Sequence, residues 1–263
     1  MPMASLQTND LTIGYKDSVI ASGLDITLFP GKVTAMLGEN GAGKSTLIKT
    51  LTGEIKPLGG SIEICGKPLE SYTPASLAKT IAIVTTGDIQ AGGLRVKELV
   101  GLGRQPHTGF FGRLSAFDKR IVEEAMQSVG ISHKADSYVA TLSDGERQKA
   151  LIARSIAQQT PLILLDEPFS FLDVASRVEI LSLLIGSARE NGTTILFSSH
   201  DVAQALRMAD DILLFTPESG VTQASPLQLI SSGRIKDLFP DRDVIFDSTQ
   251  NDFVSTLSYT HKI

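Results

Sequence analysis

The run Gly38-Glu39-Asn40-Gly41-Ala42-Gly43-Lys44-Ser45-Thr46 fits the pattern G-x-x-x-x-G-K-[ST]. Glycines at these places let the main chain turn its N–H groups inward around phosphate oxygens, because no Cβ opposes a left-handed backbone. A helix opening at Lys44 would add the positive end of its dipole. Gly38, Asn40, Gly41, Gly43 and Thr46 are the candidate cradle, Lys44 is placed to reach β- and γ-phosphates, and Ser45 is placed to ligate Mg²⁺. The competing reading is a glycine-rich turn with an accidental Gly-Lys-Ser. The context opposes it: the apolar run Val33–Leu37 precedes the pattern and helical periodicity over Thr46–Leu51 follows it.

Two further sites carry chemistry. Leu162-Ile163-Leu164-Leu165 ends in Asp166-Glu167. Asp166 stands where an acid that organises magnesium belongs, and Glu167, next in sequence and pointing elsewhere, is a candidate base for an attacking water. Taken alone, the pair could equally be solvated acids at a strand end. Thr194-Ile195-Leu196-Phe197-Ser198-Ser199-His200 places His200 just beyond a second apolar strand. In open α/β sheets, ligands bind outside the carboxyl ends of the strands, so His200 is a candidate contact for a terminal phosphate or a water. His107, His133 and His261 lack that setting and read as surface or loop residues.

The elements that position these residues are legible as alternating apolar runs and helical patterns. Strands are predicted over Val33–Leu37, Ile81–Val84, Leu162–Asp166, Thr193–Ser198 and Asp211–Phe215. Helices are predicted over Lys44–Thr52, Asp118–Val129, Asp144–Gln158 and Ala175–Asn191. The alternation predicts an α/β fold, a mainly parallel sheet with helices on both faces. Residues 1–29 and about 58–72 alternate polar with apolar and carry turn residues, which predicts an antiparallel sheet beside the core. Residues from about 87 to 158 contain no strand pattern and read as helical, with a Gly-, aromatic- and Arg-containing loop over Gln105–Ser115.

Composition bounds the rest. The chain has 263 residues, 42% hydrophobic and 20% charged, which is enough apolar material for a core. A net charge of -5 supplies no general electrostatic footprint for nucleic acid. The single cysteine, Cys65, excludes an intrachain disulfide and reads as a small residue buried in a strand. Met1 to Thr12 lacks a signal-peptide pattern, and no apolar run approaches the ~18–20 residues of a membrane helix. A soluble chain is expected, with any membrane role supplied by a partner.

One segment separates this chain from other phosphate-loop proteins. Leu142-Ser143-Asp144-Gly145-Glu146-Arg147-Gln148 resembles the signature motif of ABC transporter ATP-binding subunits, commonly LSGGQ. As plain helix chemistry, Ser143 with Glu146 three residues on is a capping box, and both readings can hold together. The order aromatic (Tyr15), Walker A (38–46), signature, Walker B (Asp166-Glu167), D-loop (Pro168–Asp173) and switch histidine (His200) is the family's order. The resemblance covers about residues 5–220. It implies a P-loop NTPase (RecA-like) core with an antiparallel β subdomain and an inserted α-helical subdomain at about 87–158; residues 221–263 match the family weakly and read as a C-terminal strand-helix appendage. It further implies ATP and Mg²⁺ as ligands, Tyr15 stacking on adenine, and Asp173 at a dimer seam. Ser143 and the backbone at Gly145 would meet the partner subunit's γ-phosphate.

Two positions depart from the family pattern. Thr86 stands where the family usually has a glutamine, with Gln90 four residues on, and Asp144 and Glu146 replace Gly and Gln of the commoner signature. Leu99–Ser115 is similar to the same stretch in importer subunits for iron-siderophores, haem and cobalamin. That likeness implies a homodimer at the cytoplasmic face of the cell membrane, bound to transmembrane permease subunits and served by a periplasmic or lipoprotein binding protein. The alternatives are a non-transport ABC ATPase acting as a mechanical switch in translation or DNA repair, and a small-molecule kinase. The first usually carries fused cassettes or a coiled coil, and the second has no use for the signature segment.

Overall fold

The computed structural model describes residues 3–16, 18–85, 93–109, 112–216, 220–239, 244–247 and 252–255. Its first strands are β1 (Leu6–Tyr15), β2 (Ser18–Leu24), β3 (Thr27–Leu28) and β4 (Val33–Leu37), followed by α1 (Lys44–Leu51), β5 (Gly59–Ile64), β6 (Lys67–Pro68) and α2 (Pro74–Ala78). Next come β7 (Ile81–Val84), α3 (Val96–Gly101), α4 (Ala116–Ser128), α5 (Asp144–Ala157), β8 (Leu162–Leu165) and α6 (Val174–Asn191). The chain ends with β9 (Thr194–Ser198), α7 (Val202–Met208), β10 (Asp211–Thr216), β11 (Gly220–Ala224), α8 (Pro226–Ser231), β12 (Val244–Asp247) and β13 (Asp252–Ser255). Thr86 and Gln90, the two positions weighed against the family's glutamine, lie outside the described residues, as do Phe110, Phe111 and His261. The chain folds as two compact units, Met1–Leu69 with Leu196–Ile263, and Glu70–Ile195.

In the first unit, β1 pairs antiparallel with β2, β3 and β5, and β5 with β6. Leu6 and Thr8 face inward, then Leu11 and Ile13 do. That phase change needs one extra residue, and the register between β1 and β5 shifts between Asn9 and Thr12, where Asp10 takes φ 48°. Cys65 is not in a strand. With Ile64 paired to Lys67, Cys65 and Gly66 form a two-residue hairpin turn with φ 48° and 73°. The turn residues expected at Gly66-Lys67-Pro68 do mark a turn, but it starts at Cys65, because cysteine carries no turn preference of its own.

The same unit holds a parallel pair buried on both faces. All five residues of β4 are buried, and β10 runs parallel to it, with Asp211 opposite Thr34 and Leu214 opposite Leu37. On β4's other side, the Ser199 N–H donates to the Met36 carbonyl at 3.1 Å. β11 adds antiparallel to β10. The last segment closes as a β12–β13 hairpin, with the Phe253 ring edge-on to Phe239 and Phe246 at 4.8 and 5.4 Å.

In the second unit, β7 and β8 are parallel, from Ile81 opposite Leu162 to Val84 opposite Leu165. Helices α3, α4 and α5 pack on one another, and among the described residues 93–158 the only strand-like contact is a single bridge, Arg95 to Tyr138. Gln105–His107 is not loop: Leu102–His107 forms a 3-10 helix. Its Gly103 explains why, since a Cβ there would sit 2.3 Å from the Arg154 carbonyl of α5. This approach lets the neighbouring Arg104, 3% exposed, reach Asp118 at 3.0 Å, the Ala157 carbonyl at 2.8 Å and Gln159 Oε1 at 3.0 Å. Such a buried charge is tolerated only with partners of this kind. Helix α5 is also bolted to β7. Gln158 Nε2 donates to the carbonyls of Ala78 and Ile81 at 2.6 and 2.9 Å, and Arg154 donates to that of Ile83 at 3.0 Å.

Candidate functional site

The first unit contributes the glycine-rich loop between β4 and α1. Gly43 takes φ 103° and Gly41 φ 83°, conformations that oppose any side chain. Space also matters at Gly38 and Gly43, where a Cβ would come within 2.7 Å of Phe215 Cβ and 2.6 Å of Ile20 Cγ2. Lys44 is 5% exposed, and its Nζ donates to the carbonyls of Gly38 at 2.7 Å and Glu39 at 2.9 Å. The ammonium is thus folded back over the loop it belongs to. Asn40 and Ser45 are exposed, while Thr46 is buried and its carbonyl accepts the Thr50 hydroxyl.

The start of α1 differs from those of six other helices, and from that of α3, where the Arg95 side chain accepts nothing but the Arg95 N–H donates to Glu98 Oε2 at 2.7 Å. Helices α2, α4, α5, α6, α7 and α8 begin at Thr73, Ser115, Ser143, Asp173, Asp201 and Ser225, whose side chains accept the N–H three residues on. Helix α1 begins at Gly43 with no side-chain cap. The first N–H groups of a helix have no partner within it. A glycine-capped helix start behind a glycine-rich loop is chemically suited to an anion.

His200 is exposed, beyond β9 and just before the Asp201 cap of α7. Gly38, Asn40 and His200 line a cavity of about 260 Å³ whose wall also includes Leu238 and Phe239. Tyr15, 50% exposed, ends β1.

The second unit contributes the acids and the signature segment. Asp166 follows β8, is 7% exposed, and is fixed by its N–H to the Val84 carbonyl at 2.8 Å. Glu167 takes φ 47°, a left-handed backbone that costs a non-glycine residue roughly 1–2 kcal/mol. The Ser170 hydroxyl lies 3.2 Å from both the Glu167 carbonyl and its Oε2. The left-handed turn at Glu167 is thus tied locally by Ser170.

Ser143 caps α5 in a closed box. Its N–H donates to Glu146 Oε2 at 2.9 Å and its hydroxyl to the same oxygen at 3.1 Å, while the Glu146 N–H returns to Ser143 Oγ at 3.3 Å. Lys134 Nζ reaches Glu146 Oε1 at 3.0 Å. The Ser143 N–H first, and Lys134 next, hold the Glu146 carboxyl down to about 2. Asp144 pairs with Arg147 at 3.1 Å on the exposed side. Gly145 lies against the D-loop segment, where a Cβ would be 3.1 Å from the Phe171 carbonyl. Asp173 caps α6, accepting the Ser176 N–H at 2.9 Å and hydroxyl at 2.8 Å, and the former chiefly holds its carboxyl below the usual range.

Within the first unit, Gly38, Asn40, Lys44 and His200 thus share one neighbourhood, and within the second the signature and D-loop segments touch. Lys134 and Phe239 escaped the sequence reading. Lys134 stands twelve residues before its partner on no shared helix, and Phe239 lies far along the chain from the loop it faces, so neither left a spacing signal.

Comparison with known proteins gives the following likenesses. The family described as ABC transporter matches residues 21–170. The iron(3+)-hydroxamate import ATP-binding protein FhuC of Bacillus subtilis is 36% identical over 250 residues, 95% of this chain and 93% of that protein. The ferric enterobactin transport ATP-binding protein FepC of Escherichia coli is 36% identical over 245 residues, 93% of this chain and 90% of that protein. A solved structure of a metal-chelate type ABC transporter in an inward-facing conformation superposes with a TM-score of 0.78 at 29% identity, covering 96% of each chain.

Proposed function

The chain belongs to the ABC transporter family as an ATP-binding, ATP-hydrolysing subunit of P-loop NTPase fold, and from that premise we propose that it drives uptake of an iron-siderophore, haem or cobalamin. It does so as a homodimer that holds two MgATP between phosphate loops and serine-led helix tips. The observation that carries this reading is the contrast of helix starts: α1 opens uncapped inside a glycine loop, while α5 presents an exposed serine tip.

The family works with transmembrane permease subunits, and among the described residues no helix is long and apolar enough to cross a membrane. A permease of the iron-chelate kind is the proposed partner, contacted through residues 90–115, with a periplasmic or lipoprotein binding protein delivering the solute and the ATPase dimer at the cytoplasmic face. The likeness to importer subunits for hydroxamate and enterobactin supports that solute class.

Each residue has a part. The backbone of Gly38, Asn40, Gly41 and Gly43 and the buried Thr46 shape the cradle. Lys44 leaves the Gly38 and Glu39 carbonyls for β- and γ-phosphate oxygens, exchanging neutral acceptors for charged ones. Tyr15 offers an accessible ring to adenine. The Ser45 hydroxyl and Asp166 carboxylate are hard oxygen donors that suit Mg²⁺, which would neutralise charge on the phosphates when bound. Glu167 accepts the proton of the water that attacks the γ-phosphorus, and His200 steadies the charge on the departing phosphate. Ser143 and the Gly145 backbone close the partner's site, and Asp173 lies at the seam. ATP favours the closed dimer, and hydrolysis removes the group that bridges it.

The Glu167→Gln variant tests the reading. It is expected to bind MgATP and persist as a dimer on size exclusion while hydrolysing at least ~100-fold more slowly, the usual scale for loss of a general base. Hydrolysis at the wild-type rate would falsify the assignment of Glu167 and, with a monomer in ATP, the dimer as well.

A further inference from the structure

The commoner signature carries glutamine where this chain has Glu146. A carboxylate there creates two difficulties for a tip that must meet a triphosphate. It places negative charge within a few ångströms of Ser143, where like charges repel most strongly. It also accepts a hydrogen bond from the Ser143 hydroxyl, whose oxygen lies 3.1 Å from Glu146 Oε2. A charged acceptor keeps a hydroxyl more firmly than an amide carbonyl does. Both difficulties meet one answer on the other oxygen, where Lys134 Nζ lies 3.0 Å from Glu146 Oε1.

Lys134 is not an incidental neighbour. It ends a short 3-10 turn, Ser132–Lys134, and the residues after it are tied to the start of α3. The Lys97 N–H donates to the Ala135 carbonyl and the Val96 N–H to that of Ser137, both at 3.0 Å. Lys97 Nζ reaches Asp136 at 2.6 Å. The backbone that carries Lys134 is therefore fixed from outside α5, and the ammonium is delivered to the carboxylate by a separate element. Lys134 and Glu146 are 35% and 26% exposed, so the pair stands at the rim where a nucleotide would arrive.

We propose that Lys134 is a positioning residue for the signature serine: by binding Oε1 it neutralises the Glu146 carboxylate and weakens Oε2 as an acceptor, so that Ser143 can exchange its intramolecular cap for a phosphate oxygen. This rests on the dimer reading above and adds to it a residue outside the signature segment. The role is conditional. Lys134 is needed because residue 146 is an acid, and it becomes dispensable if residue 146 is neutral.

The test is a double-mutant cycle on the full chain, with Lys134→Met, Glu146→Gln and the two combined. Readouts are the KM for MgATP and kcat from phosphate release, and ATP-induced dimerisation in the Glu167→Gln background by sedimentation. Lys134→Met is expected to raise KM, and the ATP concentration for half-dimerisation, by roughly three- to tenfold with kcat within about twofold, the scale of a partly exposed charge pair. Glu146→Gln added to Lys134→Met is expected to restore both to within about twofold of wild type. An unchanged KM in Lys134→Met, or a raised KM that Glu146→Gln does not restore, overturns the proposal. The second pattern, with a lowered melting temperature, assigns Lys134 to folding alone. A Lys44→Ala control keeps the two readings apart: if it still bound and hydrolysed ATP normally, the nucleotide site itself would be misplaced, whatever Lys134 did.

Discussion

Helices α1 and α5 both offer a positive N-terminus, yet they are prepared in opposite ways. The start of α1 has a glycine at its cap, no side-chain cap, and a lysine folded onto loop carbonyls. The start of α5 is closed by its own serine and glutamate, with a second cation behind. On the proposed reading, the first needs only one side chain, Lys44, to exchange its partners, whereas the second must open a cap made by its own backbone and side chains. Affinity for nucleotide should therefore reside in the first, and conditional closure in the second. A loop whose backbone stays put while one ammonium changes partners loses little on binding, whereas a self-capped tip responds only when the incoming oxygen outcompetes the cap.

The largest effect that would sharpen this contrast is at the loop. Lys44→Ala should weaken binding of a fluorescent ATP analogue by at least ~100-fold, since it removes a charge-assisted contact from a buried position. Ser143→Ala should leave binding to the isolated subunit within about twofold, and should weaken ATP-induced dimerisation of the Glu167→Gln chain by roughly tenfold, the worth of one hydrogen bond to a charged group. Equal losses of subunit affinity in the two variants would break the comparison, because the tip would then bind nucleotide without a partner.

The smallest effect is acid sensitivity. Glu146 is held down to about 2 in the fold, below the ~4.3 of an unfolded glutamate, so its contribution to stability is complete above about pH 4.3 and is lost as pH falls toward 2. Asp118, also lowered to about 2 by its Ser115 and Arg104 bonds, acts in the same sense. Unfolding in urea should show stability level from pH 7 to 5 and declining below about 4. Glu146→Gln should make that decline shallower, and a slope unaltered by it would mean the cap does not hold the helix tip.

What sequence discloses here follows the range of the interaction. The runs Val33–Leu37 and Ile81–Val84 are strands with the expected ends, because a continuous apolar stretch between turn residues has few other solutions. Helix α5 starts at Asp144 as expected, because Ser143 and Glu146 write the cap locally. A turn near Gly66 is legible, but neither the place of Cys65 in it nor the 3-10 helix over Leu102–His107 is. The first needs the pairing partner of Ile64 to be known, and the second depends on Gly103 meeting the backbone of Arg154. The candidate site divides in the same way. Lys44, Asp166 and His200 announce themselves by the strand each follows, whereas Lys134 gains meaning only from the carboxylate it faces.

The bolting of α5 to β7 has a mechanical corollary. With Arg154 and Gln158 bonded to carbonyls of β7 and of Ala78 at the end of α2, the helix has one end tied to that strand and Ser143 at the other. Its 14 residues span about 21 Å at ~1.5 Å per residue. Tilting such an arm by about 5° swings its tip by roughly 2 Å, enough to carry a hydroxyl from bonding distance to none. Under the proposed dimer reading, a small change in the tilt of β7 relative to α5 is therefore enough to decide whether that hydroxyl reaches an oxygen across the seam.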